Sequence, residues 1–89
     1  MIARRYRVEG RVQGVGFRAY VVRLGRTLGV RGEVRNETDG TVVAVAEGDE
    51  AALDRFRSGL ERGPSFARVE RVEERAGGAG PDERFDARF

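Results

Sequence analysis

The stretch VEGRVQGVGFR, residues 8–18, joins two different patterns of apolar residues. Before the loop, residues 5–12 alternate between apolar or small and charged side chains, which predicts a strand with one buried face. After it, apolar residues recur at helical spacing up to Leu28, where a glycine follows. The sequence therefore predicts a strand, a tight loop at residues 13–16 and a helix beginning at Phe17.

The loop has the composition of an anion-binding site. Gly14 and Gly16 permit positive φ and let successive backbone N–H groups approach a ligand closely. The positive end of the helix faces the same way, and Arg18 adds a planar guanidinium suited to phosphate oxygens. On local grounds the alternatives are glycines that only relieve backbone strain and an arginine on the solvated surface.

Downstream, the chain predicts a hairpin. Residues 30–36 and 41–47 are strand-like, and residues 37–40 between them carry an Asp-Gly turn signal. Asn36 lies where the first of these strands meets the turn, so a role in capping the turn is one interpretation of this residue.

The rest of the chain predicts a second helix and two more strands. Asp49 is a candidate N-cap for a helix ending near residues 63–64. A strand fits residues 67–75, a Gly/Pro-rich connection covers 76–83, and alternating phenylalanines predict a final strand at 85–89. The order β-α-β-β-α-β predicts an α+β fold, a ferredoxin-like sandwich with two helices packed on one face of an antiparallel sheet.

Composition limits the chemistry that this chain can perform. Its 89 residues, 39% of them apolar, suit one small domain with a shallow active surface. The chain contains no lysine, histidine, cysteine or tryptophan, and its only side-chain amides belong to Gln13 and Asn36. A histidine base, a cysteine nucleophile, a Schiff-base lysine and a typical zinc site are thereby excluded.

Charge is distributed unevenly along the chain. Residues 1–35 carry nine arginines and two acidic residues, whereas residues 36–89 carry eight arginines and thirteen acidic residues. The first part can therefore attract anions. Because no signal-like or membrane-length apolar run is present, we expect a cytoplasmic protein without a membrane partner. Scarce amides and abundant arginine and glutamate are typical of thermostable proteins, although a GC-rich genome also favours arginine.

Two segments together resemble the acylphosphatase family. Residues 8–18 are similar to its phosphate-binding signature, and GEVRNETDGTVVAVAEG, residues 32–48, is similar to its second signature around an asparagine. Residues 63–69, with Gly-Pro and Ala-Arg-Val, resemble a later family segment. The chain departs from the family at Glu33, where an aromatic residue is usual. The resemblance spans nearly the whole chain and implies one acylphosphatase-like domain over residues 1–89.

The resemblance also implies an activity and a set of site residues. We expect hydrolysis of small acyl phosphates to a carboxylate and inorganic phosphate, without metal or cofactor, by a monomer that phosphate inhibits competitively. Asn36 would position the attacking water, and Arg18 would bind the phosphoryl group. The implied phosphate-binding residues are Gln13, Gly14, Val15, Gly16, Phe17 and Arg18.

Elementary chemistry agrees with this activity. The leaving carboxylate has a conjugate acid with a pKa of about 4, so its departure needs no general acid. A loose phosphoryl-transfer transition state requires mainly positioning and charge stabilisation, which N–H groups and arginine provide. A substrate phosphate oxygen could take the proton of water, and Glu33 or Asp39 is the rival acceptor.

Two other functions remain open at this point. The fold also occurs in RNA-binding modules, so a non-catalytic phosphate- or nucleic-acid-binding module is the alternative. The chain has few aromatic residues and a nearly balanced charge, so we expect no nucleic-acid partner. Acylphosphatase-like domains also form the N-terminal part of larger carbamoyl-transfer enzymes of hydrogenase maturation. The length of 89 residues favours a free-standing enzyme.

Overall fold

Five antiparallel strands form one sheet in the order β4-β1-β3-β2-β5, with two helices against one face. The computed structural model describes all 89 residues. The elements are β1 (Ile2–Arg11), α1 (Phe17–Leu28), β2 (Arg31–Asn36), β3 (Val42–Gly48), α2 (Glu50–Arg62), β4 (Arg68–Ala76) and β5 (Ala87–Arg88). This arrangement confirms the predicted α+β class and order of elements. Neither helix is long and apolar enough to cross a membrane.

Both predicted helices are confirmed close to their expected ends. The first begins at Phe17 and ends at Leu28, because Gly29 takes up a left-handed conformation with φ of 69°. The second begins after Asp49, whose carboxylate accepts a hydrogen bond of 2.7 Å from the N–H of Ala52.

The hydrophobic core lies between the helices and one face of the sheet. Tyr6 and Val8 of β1 are fully buried there against Phe56 of α2, whose ring centroid is 5.4 Å from that of Tyr6. Phe17 is only 1% exposed, as expected for a core residue. The hydroxyl of Tyr20 donates to the carbonyl of Gly59 at 2.7 Å, which ties α1 to α2.

The other face of the sheet is crossed by residues 77–86, the 77–86 segment. It starts where the N–H of Gly77 donates to the carbonyl of Ala3 in β1 at 3.0 Å, and it reaches β2 at Val34. Since β3 lies between β1 and β2, this path crosses β3. On that strand Val43 and Val45 are almost fully buried although they alternate with the residues that face the helices.

The predicted final strand at 85–89 is wrong in extent. Only Ala87 and Arg88 pair with β2 as strand residues, although the N–H of Asp86 also donates to the carbonyl of Val34 and that of Phe89 to the carbonyl of Gly32. Phe85 lies under the guanidinium of Arg35, 4.8 Å from its carbon to the ring centroid. Asp86 turns its carboxylate towards the end of β2. The strand is therefore reduced to two residues at the sheet edge.

Candidate active site

The loop at residues 13–16 has the conformation that its glycines predict. Gly14 and Gly16 have φ of 73° and 76°, and an added Cβ would meet nothing within 4 Å at either position. Glycine is therefore required there for its backbone conformation and not for space. The side chains of Val15 and Phe17 pack against the core and so anchor the loop, whereas Gly14 and Gly16 are exposed.

The start of α1 offers unpaired N–H groups. No side chain caps this helix, and its first hydrogen bond runs from the N–H of Tyr20 to the carbonyl of Gly16 at 3.1 Å. The N–H groups of Phe17, Arg18 and Ala19 therefore have no intrahelical acceptor. Together with the loop backbone they form a concentration of positive partial charge suited to an anion.

Gln13 has a role that the sequence did not reveal. Its Nε2 donates to the carbonyl of Glu37 at 2.7 Å and to that of Thr41 at 2.8 Å. The side chain thereby fastens the loop to the turn of the β2–β3 hairpin, the turn that follows Asn36. Gln13 thus fixes the distance between two predicted parts of the site, and its side-chain amide donor is already engaged.

Asn36 ends β2 and leaves one polar atom unpaired. Its Oδ1 is buried and has no hydrogen-bond partner, while its backbone N–H donates to Oδ2 of Asp86 at 2.8 Å. The turn is capped instead by Asp39, which accepts from the N–H of Thr41 at 3.0 Å and from its hydroxyl at 2.7 Å. The turn-capping interpretation of Asn36 is therefore wrong, and its unpaired amide oxygen calls for a functional explanation.

The side chain of Arg18 and the backbone of Asn36 contact the same carboxylate oxygen. Nη1 of Arg18 lies 3.1 Å from Oδ2 of Asp86, the same oxygen that accepts from the backbone of Asn36. The first turn of α1 and the end of β2 are thus linked through a carboxylate from the far end of the chain. No local pattern around Asp86 signalled this contact.

The two carboxylates that could compete as bases have other partners. Glu33 lies 3.0 Å from Nε of Arg88, and it precedes Asn36 by three residues, which places the two on opposite faces of β2. Hydrogen bonds from the hydroxyl and N–H of Thr41, with the charge of Arg7, lower the pKa of Asp39. Asp39 is therefore poorly suited to take a proton, and Glu33 lies on the face of β2 opposite to Asn36.

The site is an open surface. The largest surface cavity, about 410 Å³, is lined by residues such as Ala3, Gly32 and Phe89 and includes none of residues 13–18. No group of three or more acidic side chains is placed to share a metal ion. A small chain with a shallow anion site was the expectation from its length.

The structure is an α+β domain in which an uncapped helix start offers unpaired N–H groups suited to an anion. The family model for acylphosphatase matches residues 4–87. An acylphosphatase of Nitratidesulfovibrio vulgaris is 47% identical over the whole of this chain and 92% of its own length. One from Thermotoga maritima is 51% identical over 81% of this chain and 80% of its own length. The chain therefore belongs to the acylphosphatase family, and it is an enzyme that hydrolyses acyl phosphates.

Solved structures support the same conclusion. The acylphosphatase of Bacillus subtilis superposes with a TM-score of 0.85 at 34% identity, covering 96% of this chain and 94% of the other. HypF of T. kodakarensis contains a similar domain, with a TM-score of 0.78 and 36% identity over 96% of this chain but only 11% of its own. The predicted ferredoxin-like fold is thus confirmed.

Proposed function

We propose that Arg18 and the backbone of residues 13–18 hold the phosphoryl group while Asn36 orients the attacking water. One observation carries this assignment: the guanidinium of Arg18, from the uncapped first turn of α1, and the backbone N–H of Asn36, at the end of β2, contact the same carboxylate oxygen. An anion there can contact both elements. Oδ1 of Asn36 has no protein partner, so a rotation of the side chain towards the bound substrate would let it accept a water proton.

In the proposed reaction, the water oxygen forms a bond to phosphorus as the bond from phosphorus to the acyl oxygen breaks. The acyl group leaves as a carboxylate, which needs no proton. Arg18 and the loop N–H groups stabilise charge on the equatorial phosphoryl oxygens. A phosphoryl oxygen accepts the proton of water, since Glu33 and Asp39 are engaged in ion pairs and hydrogen bonds.

The proposal is tested by hydrolysis of benzoyl phosphate in the presence of a metal chelator. Arg18→Ala should lower kcat/KM about 10²- to 10³-fold, the loss expected for one transition-state donor. Asn36→Ala should lower kcat with little change in KM. Arg26→Ala, an exposed position two turns further along α1, is the matched control and should keep activity. Full turnover by a folded Arg18→Ala or Asn36→Ala variant would overturn the assignment.

We further propose that the enzyme works in the cytoplasm as a monomer, without metal, cofactor or nucleic-acid partner. A carboxylate leaving group removes the need for a Lewis acid, and the nearly balanced net charge of +2 favours no polyanion. Inorganic phosphate should inhibit competitively because it presents the same oxygens to the loop. Sedimentation of the purified chain and a phosphate titration of the rate test these statements.

Thermostability is a separate proposal. Ion pairs join into networks, such as Arg4 and Arg57 on either side of Glu74, and networks of this kind are frequent in heat-adapted proteins. We expect a midpoint of thermal unfolding above the range of about 45–65 °C that is usual for mesophilic domains. A midpoint within that range would count against the proposal.

A further inference from the structure

Asp86 is held against β2 from two sides. Its own N–H donates to the carbonyl of Val34 at 3.0 Å, and its Oδ2 accepts from the N–H of Asn36 at 2.8 Å. Both partners are backbone groups of β2, which lies between β3 and β5 in the sheet. Two backbone contacts with β2 therefore hold Asp86 in addition to its ion pair with Arg18.

The residues that precede Asp86 are also fastened to the sheet. Glu83 accepts hydrogen bonds from both terminal nitrogens of Arg5 and from the N–H of Gly80, and it lies 3.4 Å from Nη2 of Arg35. These partners keep Glu83 ionised and hold the 77–86 segment in place. Asp86 is thus presented by an anchored segment and not by a free chain end.

Arg18 is the less restrained member of the pair. Its side chain is 45% exposed, and its recorded ion-pair contact is from Nη1 to Asp86 at 3.1 Å. A guanidinium carries five N–H donors, and this ion pair engages only Nη1 of Arg18, so other donors remain available to a ligand. An anion bound at the loop N–H groups must share this guanidinium with a carboxylate whose position is already set.

We propose that Asp86 is an internal anion that competes with the substrate phosphoryl group for Arg18 and so weakens phosphate binding. The carboxylate neutralises part of the charge that Arg18 offers, and it repels a second anion placed nearby. Asp86 thus sets the affinity for substrate and for product phosphate, and favours release of the product. This inference rests on the proposed role of Arg18 in binding phosphate.

The test compares Asp86→Asn with the wild type. Asparagine keeps the size and an oxygen that accepts from the N–H of Asn36, but it removes the charge. The dissociation constant of inorganic phosphate and the KM for benzoyl phosphate should both fall about two- to fivefold, the effect of an exposed ion pair. Asp86→Ser, which also retains an acceptor oxygen, is a second variant if the first folds poorly.

A matched control removes the same charge elsewhere. Asp54→Asn breaks an ion pair with Arg4. Arg4 lies near the start of β1, whereas the loop at residues 13–16 follows the other end of that strand. We expect it to leave phosphate binding unchanged. Combined with Arg18→Ala, the Asp86→Asn change should have no further effect on phosphate binding.

The outcomes separate the two proposals. If the dissociation constant of phosphate and the KM for benzoyl phosphate are unchanged or higher in a folded Asp86→Asn variant, the competing role of Asp86 is wrong. If Arg18→Ala itself leaves phosphate binding intact, the proposed phosphate-binding role of Arg18 fails and the inference fails with it. Tighter binding in Asp86→Asn that depends on Arg18 supports both.

Discussion

The ring of Phe89 occupies the space that a side chain at position 25 would need. A Cβ added to Gly25 would lie 2.1 Å from Cδ2 of Phe89, and the same ring stacks on Phe56 with centroids 5.4 Å apart. Glycine inside a helix costs about 1 kcal/mol relative to alanine. In α1 this cost is offset by the aromatic packing that the missing side chain permits.

Gly25→Ala should therefore lower the free energy of unfolding by about 1–3 kcal/mol, as overpacking does. Phe89→Ala should lower it by about 2 kcal/mol, since it removes the ring. With the ring absent, the alanine at 25 should stabilise the helix by about 1 kcal/mol, so the double variant is more stable than Phe89→Ala alone. Urea unfolding of the four proteins measures this cycle, and additive losses would refute the contact.

Substitution of the two rival bases should leave the chemical step intact. Glu33→Gln and Asp39→Asn keep the size of each side chain but remove its capacity to take a proton at neutral pH. If a phosphoryl oxygen accepts the proton, kcat for benzoyl phosphate should stay within about threefold of the wild type. Loss of turnover in either variant, with phosphate binding preserved, would identify that carboxylate as the base.

Gln13→Met should weaken both folding and phosphate binding. Methionine has a similar shape but no N–H, so the carbonyls of Glu37 and Thr41 would lose their side-chain donor and keep only the backbone N–H groups of Gly40 and Glu37. We expect a loss of about 1–2 kcal/mol in the free energy of unfolding. The dissociation constant for phosphate should rise as well, because the loop is no longer held to the hairpin that carries Asn36. Binding unchanged from the wild type would limit Gln13 to a stabilising role.

Glu83 should make the stability depend on pH in the acid range. Hydrogen bonds from Arg5 and the N–H of Gly80, with the charges of Arg5 and Arg35, lower its pKa from 4.5 to about 2. A carboxyl whose pKa is lower in the folded chain than in the unfolded chain stabilises the fold at pH values above the unfolded pKa. This stabilisation is lost as the pH falls towards the folded pKa. As the pH falls from about 5 to 2, the free energy of unfolding should therefore decrease less steeply in Glu83→Gln than in the wild type.

A matched control for this pH dependence is Glu70→Gln. Glu70 is exposed on β4 and takes part in none of the ion pairs of the structure. The acid-range slope of its stability should equal that of the wild type. Equal slopes for the wild type and Glu83→Gln would contradict the account of the Glu83 cluster.

The loop and both helices could be predicted because their determinants are local. Positive φ at Gly14 and Gly16 follows from the residue type, and the helical stripe from Phe17 to Leu28 repeats within a few residues. The packing of Phe89 against Gly25 could not be predicted, because the two residues lie far apart in the sequence.

The parts of the site that sequence reasoning missed are contacts between distant residues. Asp86 reaches Asn36 across fifty positions, and Gln13 reaches Glu37 across twenty-four. An acidic residue beside a sheet edge and a glutamine in a loop have no periodicity that would reveal such partners. The two-residue length of β5 was missed for the same reason, since Phe85 contacts β2 through the side chain of Arg35 and Asp86 through a carboxylate that accepts from the N–H of Asn36.

The central claim is that Arg18 and the loop hold a phosphoryl group while a water beside Asn36 attacks phosphorus. Hydrolysis of benzoyl phosphate in ¹⁸O-enriched water, followed by mass spectrometry of both products, tests it most directly. The account predicts one ¹⁸O atom in inorganic phosphate and none in benzoate, because the bond from phosphorus to the acyl oxygen breaks. Label in benzoate would show attack at the carbonyl carbon and would contradict the account.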